Sequence, residues 1–415
     1  MKDFQFIDYW FYLESYVFIF KEKRKFVVYN TMNSAYIDCS IYKSTQKILS
    51  ELYDSNKNYC VGISKSLLND SSFLIFLTEI RKSFSGDIID NRGQAPFIFK
   101  PILRIYFHPA KSKIKEDNLL GINSLLYLHE VSFFLAASDK KLKKEYHHCY
   151  KQFLHPIKTD SQIMTFHHYE NIIKQLAICQ LDKINIVTDK IHNNDLLIEL
   201  LESTDKFKLK TEIVSLFDEN IDINNVGCLK LNSRLTLKII VHLPIDLKKL
   251  EFQINLLSCF NIIWVCIVTK EKDLECIDSI IESFSDKIEL CPWYDGSNRE
   301  FFKRFVFNEL EDIITIPISK QKIFRRQVLN ENFFGKLTVL PNGDVYTNTN
   351  FHSIGNILHQ KLTEIVYSEI SNVKNSWFFT RETGICNECI NKYLCPSISN
   401  YEIVMNEYNM CYLNK

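Results

Sequence analysis

The sequence contains little glycine and proline, with 10 Gly and 9 Pro among 415 residues. It therefore offers no flexible low-complexity linker, and its domains are expected to pack on one another. Net charge is missing as well, because Lys+Arg and Asp+Glu both total 50. Since no overall field attracts polyanions, we expect no nucleic-acid binding and no attraction to anionic membranes.

A long uninterrupted hydrophobic run is also missing. The aromatic stretch 4–20 contains Asp8 and Glu14, and no small-residue cleavage site follows it. We expect neither a signal peptide nor a membrane insertion. With 46% hydrophobic residues the chain can fill the cores of two or three domains. A cytoplasmic protein of several domains is the expectation.

Four of the 13 cysteines are grouped in the last thirty residues. They follow a C-x2-C-x5-C-x15-C pattern formed by Cys386, Cys389, Cys395 and Cys411. Four thiolates complete the coordination of an iron-sulfur cluster or a tetrahedral zinc ion without leaving a position open for substrate. The pattern therefore predicts a structural or redox metal site. Two disulfides, or a chance grouping, are the alternatives.

Residues 9 to about 90 are predicted to form a small module. Three β-branched and aromatic runs, 9–20, 25–31 and 35–39, have the spacing of a three-stranded meander. Two stretches with helical periodicity follow, and Asp70 is a cap candidate for the second. A meander followed by helices is typical of a winged-helix domain. Such a domain could bind DNA or dock on a neighbour, although no basic stripe lies along either helix.

This module resembles the leader-peptide recognition element of ribosomally synthesised, modified peptide pathways, typified by PqqD-like proteins. In that family an unstructured leader adds a strand to the third strand and contacts the last helix, so an open sheet edge provides backbone hydrogen bonds. The resemblance implies a peptide-binding site formed by Tyr36, Ile37, Phe73, Phe76 and Ile80.

The middle of the chain alternates strands and helices. Repeated units of this kind favour parallel strands covered by helices, in an open doubly wound sheet or a partial barrel. A substrate site would lie at the C-terminal ends of the strands. The predicted strands are 130–136, 184–188, 210–217, 235–242, 262–269 and 288–293, and the predicted helices are 163–178, 196–202, 247–257 and 273–284.

The C-terminal part, with the motifs Leu-Pro-Asn-Gly-Asp-Val-Tyr at 340–346 and Ile-Gly-Asn-Ile at 354–357 before the four cysteines, resembles the SPASM domain of radical S-adenosylmethionine (SAM) peptide maturases. The whole chain, with 9–13, 29–31, 86–89 and 394–402 as further matching segments, resembles the pseudo-radical-SAM proteins of the Bacteroidales double-glycine leader peptide systems. The resemblance implies an α/β protein of three domains. They are a winged-helix (PqqD-like) module at 1–95, a degenerate partial (β/α)6 radical-SAM-like barrel at 96–325 and a cysteine-rich SPASM-like domain at 326–415.

One motif of active radical-SAM enzymes is missing. These enzymes carry C-x3-C-x2-C after the first barrel strand, because three thiolates leave one iron free to bind SAM. The corresponding loop, 137–149, contains a single cysteine, Cys149, so no SAM cluster is expected. His147, His148 and His155 could form a different metal site at the barrel mouth, or they are ordinary surface histidines of a degenerate loop.

The SPASM resemblance extends to individual ligands. The first auxiliary cluster of such domains would need cysteines near 347–349 and at Ser399, and neither is present. The second would be bound by Cys386, Cys389, Cys395 and Cys411, which are all present. The resemblance therefore implies one [4Fe-4S] cluster in the C-terminal domain, with Zn²⁺ as the alternative.

The implied function is that of a non-catalytic partner in the maturation of a ribosomally synthesised peptide. The protein would bind the double-glycine leader of a precursor and present the core peptide to a partner radical-SAM or other maturase. An active peptide-modifying enzyme with changed chemistry is the alternative, using His147, His148 and Cys149 or the remaining cluster for electron transfer. A purely structural subunit is a third.

Overall fold

The computed structural model describes residues 7–54, 58–103, 123–136, 149–157, 162–191, 195–218, 227, 229–230, 232–284, 286–307, 309–372, 375–408 and 410–411. Within these ranges, fifteen strands form two sheets of three strands and one sheet of nine. None of the helices in this part of the chain is long and apolar enough to cross a membrane.

The N-terminal region contains both three-stranded antiparallel sheets and two helices. One sheet has the order β5-β1-β6, and the other is the meander β2-β3-β4. The elements are β1 (Tyr9–Leu13), β2 (Val17–Glu22), β3 (Lys25–Asn30), β4 (Tyr36–Asp38), α1 (Gln46–Asp54), β5 (Cys60–Ile63), α2 (Ser71–Lys82) and β6 (Gly86–Asp90).

The predicted first strand, 9–20, is wrong as a single strand. The N–H of Val17 donates to Glu14 O at 3.0 Å, which closes a turn and sends β1 and β2 into different sheets. The predicted meander therefore begins at β2, and the sheet around β1 is additional to the predicted pattern. The predicted cap of α2 is confirmed, because Asp70 Oδ1 accepts from Ser72 N at 2.8 Å and Phe73 N at 3.2 Å.

The meander β2-β3-β4 is buried on both faces. Side chains such as Ile19 and Val28 belong to the core shared with α1 and α2. The alternate side chains Phe18, Phe20 and Tyr29 pack on C-terminal residues that include Ile318, Ile323, Tyr393 and Leu394. The expectation that the parts of the chain pack on one another therefore holds for this pair of regions.

The central sheet contains six parallel strands that neighbour one another in chain order, as the sequence predicts. All six predicted strands and all four predicted helices are present, with bounds shifted by a few residues. They are β7 (Glu130–Phe134), β8 (Lys183–Thr188), β9 (Thr211–Leu216), β10 (Leu235–His242), β11 (Ile262–Val268) and β12 (Ile288–Pro292), with α3 (Phe166–Leu176), α4 (Asp195–Lys206), α5 (Leu247–Leu256) and α6 (Glu271–Phe284).

The C-terminal region extends this sheet. A strand pairs in parallel with β7, and a hairpin adds two antiparallel strands beyond it. Gly343 has φ +88 in the hairpin turn, and a Cβ there would lie 2.8 Å from Leu358 Cγ, so this position requires glycine. The elements are α7 (Arg299–Phe302), α8 (Leu310–Ile314), α9 (Lys320–Val328), β13 (Lys336–Val339), β14 (Asp344–Tyr346), β15 (Gly355–Asn356), α10 (Leu362–Asn372) and α11 (Asn400–Met405).

Candidate metal centre and peptide-binding edge

The four grouped cysteines line one cavity of about 380 Å³. Cys386 and Cys389 lie at a tight turn, in which Cys389 N donates to Cys386 O at 3.0 Å. Cys395 precedes Pro396, and Cys411 follows α11. All four are free thiols rather than disulfides. The fold therefore brings the sulfur of residue 411 to the turn that contains the other three.

Burial makes two of these thiols poor acids in the absence of a metal. It raises the pKa of Cys395 to about 12 against the opposing effect of Arg381, and it also raises the pKa of Cys389 against the opposing effect of the Asn391 backbone. One donor points at a sulfur, because Arg381 Nη1 lies 3.4 Å from Cys386 Sγ. Such donors stabilise thiolates bound to a metal.

Arg381 is fixed by a buried ion pair that sequence reasoning missed. Its Nη1 and Nη2 atoms lie 3.1 and 3.2 Å from the two carboxylate oxygens of Glu402, and its Nε donates to Pro396 O. Glu402 also accepts from Ser399 N at 2.8 Å, forming a capping box on α11. The Ser-x-x-Glu spacing was the available signal for Glu402, whereas nothing local marks Arg381.

The arrangement of the sulfurs bears on which metal they fit. Among the described residues, no three His, Cys, Asp or Glu side chains meet closely enough to hold one metal ion. A tetrahedral zinc ion with Zn–S bonds of about 2.3 Å requires its thiolates to converge on a single point. A cubane cluster instead binds each thiolate through a different iron. Sulfurs that surround a cavity therefore fit the cluster better than a single zinc ion.

One face of the parallel sheet, called the inner face below, is covered by side chains of the segment 149–157. Phe153, Leu154 and Ile157 pack against inward side chains of the central strands, such as Phe134 and Val214. The short segment 149–157 is held at both sides, because Gln152 Nε2 donates to Tyr294 O and Lys151 Nζ donates to Thr349 O at 3.1 Å. The space left beside β7 and β13 is about 170 Å³, below the ~300–1,000 Å³ of small-molecule sites.

Charged residues near the N-terminal ends of the strands on this inner face are paired within the chain. Burial opposes ionisation of Glu130, but Lys336 and Lys183 outweigh it and lower the pKa of this carboxyl. Positive and negative side chains thus compensate one another from strand to strand. The ion pairs are Lys336–Glu130 at 3.4 Å, Lys183–Glu212 at 2.8 Å and Lys238–Glu289 at 3.6 Å.

A pair of histidines lies at the opposite end of the sheet. His242 ends β10, and its Nε2 is 2.9 Å from Nε2 of the buried His155. His155 Nδ1 contacts Pro156 O at 2.6 Å, which fixes that nitrogen as the donor. His147 and His148 lie outside the described residues, and Cys149 is described only in its backbone, so the predicted barrel-mouth site stays a prediction.

Among the strands of the described residues, β4 is at the edge of its sheet, with the order β2-β3-β4. Asn30 N donates to Ala35 O at 2.9 Å, and Val28 opposes Ile37 in the same register. Antiparallel pairing alternates, so Ile37 bonds to β3 while the backbone groups of Asp38 point to the open side.

The helix α2 contacts residues that precede and follow β4. Before the strand, Asn33 Nδ2 donates to Ser83 O at 2.7 Å, just beyond the C-terminal end of the helix. After the strand, burial and then a hydrogen bond with Glu79 raise the pKa of Tyr42 to about 12. Ile37 of β4 belongs to the same core as the buried residues of α2.

Four of the five predicted peptide contacts have buried side chains. Phe73, Phe76 and Ile80 are fully buried, and Ile37 is 7% exposed, so these side chains form the module's core and do not line an open groove. The reason is that α2 uses their helical spacing to cover the sheet. Ile75, 56% exposed on the same helix, and Ile41, 70% exposed just after β4, are among the apolar side chains of the module that stay exposed, together with Met32, Leu74 and Phe84.

Comparisons with known proteins give weak similarity only. No family model and no curated protein matches the chain. Three crystal structures of Streptococcus suis SuiB are similar at 11% identity. SuiB bound to precursor peptide SuiA covers 98% of this chain and 99% of its own with a TM-score of 0.43. SuiB bound to S-adenosylmethionine covers 98% and 99% at 0.42, and SuiB alone covers 97% and 99% at 0.42. Scores of this size establish neither a shared family nor a shared function.

Proposed function

We propose that this chain is a non-catalytic pseudo-radical-SAM protein in the maturation of a ribosomally synthesised peptide. It binds the double-glycine leader of the precursor and presents the core peptide to a partner radical-SAM or other maturase. The observation that carries the proposal is the position of β4 at the edge of its sheet among the described strands.

The edge has what strand addition needs. A peptide that pairs with β4 gains backbone hydrogen bonds from outward groups such as Asp38 N–H, and its alternate side chains meet the adjoining surface. Ile75 and Ile41 supply exposed apolar contacts there. Glu79 of α2 adds a negative charge near the end of the strand. Such an edge favours an extended peptide with apolar side chains.

The absence of catalysis is supported by the sequence and by the inner face of the sheet. No C-x3-C-x2-C triad occurs anywhere among the 415 residues. Phe153, Leu154 and Ile157 occupy the inner face that a barrel enzyme uses for its substrate. A peptide would therefore be held outside this interior and presented to another enzyme.

The metal centre has a supporting role in this proposal. Cys386, Cys389, Cys395 and Cys411 would hold one [4Fe-4S] cluster, and four protein ligands leave no iron open to substrate. The cluster would supply a covalent tie between the turn at 386–395 and residue 411. Arg381 would donate to one of its thiolates, with Zn²⁺ as the alternative occupant if the sulfurs move together.

The test uses the full chain and the leader peptide encoded next to its gene. Binding is expected at micromolar Kd or tighter, about −8 kcal/mol. Asp38 has φ −75, so proline fits the backbone there while removing one outward N–H. Asp38→Pro should weaken binding about tenfold, the effect of about 1.4 kcal/mol for one lost backbone hydrogen bond.

Asp38→Ala is the matched control, because both variants lose the side-chain cap on Ser40 N but only proline loses the backbone donor. Circular dichroism of both variants should match the wild type. If the two variants bind the leader equally well, the peptide does not pair with β4 and the recognition role fails.

An active enzyme with changed chemistry is the second candidate. The observation that favours it is the contact of His155 with His242 at the C-terminal ends of the strands, where barrel enzymes place their sites. His147, His148 and Cys149 precede this pair in the sequence. Metal retained after all four grouped cysteines are replaced by alanine, and lost on His242→Gln, would favour the enzyme over the peptide-presenting partner.

A further inference from the structure

Asn391 connects two of the grouped cysteines. Its carbonyl oxygen accepts from Leu394 N at 2.9 Å and Cys395 N at 2.8 Å, and its backbone opposes the effect of burial on the pKa of Cys389. It is 4% exposed. One residue therefore fixes the backbone before the third cysteine through two hydrogen bonds and lies two residues after the second.

The side chain of the same residue leaves the cysteine turn and reaches the edge strand. Tyr36 OH, at the start of β4, donates to Asn391 Oδ1 at 3.1 Å. A second contact lies nearby, because Ile390 N donates to Glu22 Oε2 at 3.3 Å at the end of β2. The turn that holds Cys389 is thus hydrogen-bonded to the first and last strands of the meander.

We propose that Tyr36 and Asn391 are positioning residues that couple the metal centre to the peptide-binding edge, so that a filled centre orders β4. The inference rests on the proposed function, whose metal site and edge strand it joins. When the cysteines bind a cluster, the turn around Asn391 becomes fixed, and Tyr36 gains a fixed partner. Because coupling is reciprocal, ordering of β4 also strengthens retention of the cluster.

The experiment measures backbone hydrogen exchange at residues 25–38 in full-length protein, with the cluster reconstituted and with it stripped. Thiolate-to-iron absorption reports whether the cluster is bound. In the wild type, loading should slow exchange of these amides about tenfold. In Tyr36→Phe, which removes only the hydroxyl, the slowing should fall to about twofold.

Tyr16→Phe is the matched control, since Tyr16 OH donates to Phe84 O in the same module without contacting the cysteine turn. It should keep the full tenfold slowing. The stripped forms of Tyr36→Phe and the wild type should exchange alike, because the link has lost its ordered partner in both. A purely structural role of Tyr36 would instead speed exchange equally in stripped and loaded protein.

The second readout is cluster loss to an iron chelator, followed by the same absorption. Loss should be faster in Tyr36→Phe than in Tyr16→Phe. Absorption that never develops would refute the metal site and the coupling together. Absorption that develops while exchange at 25–38 stays unchanged would refute the coupling alone and leave the metal site standing.

Discussion

The buried histidine of the segment that covers the inner sheet face predicts a specific loss of stability in acid. His155 is 1% exposed, and burial, followed by the neighbouring His242, lowers its pKa to about 3. In the unfolded chain a histidine has a pKa of about 6.5. As pH falls, the unfolded state therefore takes up the proton first. The stability that the neutral His155 contributes is complete above the pKa of the unfolded state, and it is lost as pH falls towards the pKa of the folded state.

The magnitude follows from the separation of the two pKa values. At pH 5 the pH is about 1.5 units below the pKa of the histidine in the unfolded chain, whereas the histidine in the folded protein is still neutral. This difference corresponds to about 2 kcal/mol of lost stability. The folded form keeps its neutral imidazole because Nδ1 donates to Pro156 O and Nε2 accepts from His242.

The assay is urea unfolding at pH 8 and pH 5, followed by tryptophan fluorescence. Trp293 is suited as a reporter, because its ring centroid lies 6.2 Å from that of His242. The variant His155→Gln cannot take up a proton and should lose about 2 kcal/mol less than the wild type between the two pH values. His359→Gln makes the same change at an exposed site and should behave as the wild type.

Equal losses in the wild type and in His155→Gln would refute the reasoning. They would mean that His155 is protonated in the folded protein, and hence that water reaches the inner face of the sheet. The segment 149–157 would then not close this interior as the structure shows.

Three further outcomes are expected. Anaerobically prepared protein should contain about four iron and four sulfide per chain. The variant Cys389→Ala should lose most of both, whereas replacing the exposed Cys259 should leave the content unchanged. Equal metal contents in the two variants would refute the site. Reconstituted protein given SAM and a strong reductant should form no 5'-deoxyadenosine above a protein-free control, and turnover abolished by Cys149→Ala would overturn the non-catalytic proposal. Glu402→Gln should lower the free energy of unfolding by about 3 kcal/mol because it leaves Arg381 buried and unpaired; Glu271→Gln, in an exposed pair with Arg304, should cost less than about 1 kcal/mol, and similar losses in both would contradict this.

The central sheet was predictable because its strands are buried on both faces. Parallel strands covered by helices appear as unbroken apolar runs, such as Ile-Ile-Trp-Val-Cys-Ile-Val in β11, and amphipathic helices separate them. The turn between β1 and β2 was not predictable from the same signal. The residues on both sides of Glu14 are aromatic and apolar, so hydrophobicity alone does not show that the chain changes sheets there.

Only those parts of the candidate site that are marked by the spacing of nearby residues were predictable from the sequence. The spacing of the four cysteines predicts a metal site, and the structure places them around one cavity; their binding of a metal stays a prediction. The peptide contacts on α2 were implied by the resemblance and placed on its periodic apolar residues. These residues mark the buried face of the helix, whereas Ile75 lies off that face. Arg381 and Asn391 make tertiary contacts with residues 21 and 355 positions away, so no local pattern indicates them.

Because β2-β3-β4 is buried on both faces, the N-terminal module cannot be cut from the rest of the chain without exposing apolar side chains. Cutting the chain after the N-terminal module would expose Phe18, Phe20 and Tyr29, and would remove Ile318 N, which donates to Tyr29 OH at 2.9 Å. Such a fragment would present a wide apolar surface and tend to aggregate. The module therefore cannot be exchanged alone, and a chimera that replaces it must also replace the surface around Ile323 and Tyr393.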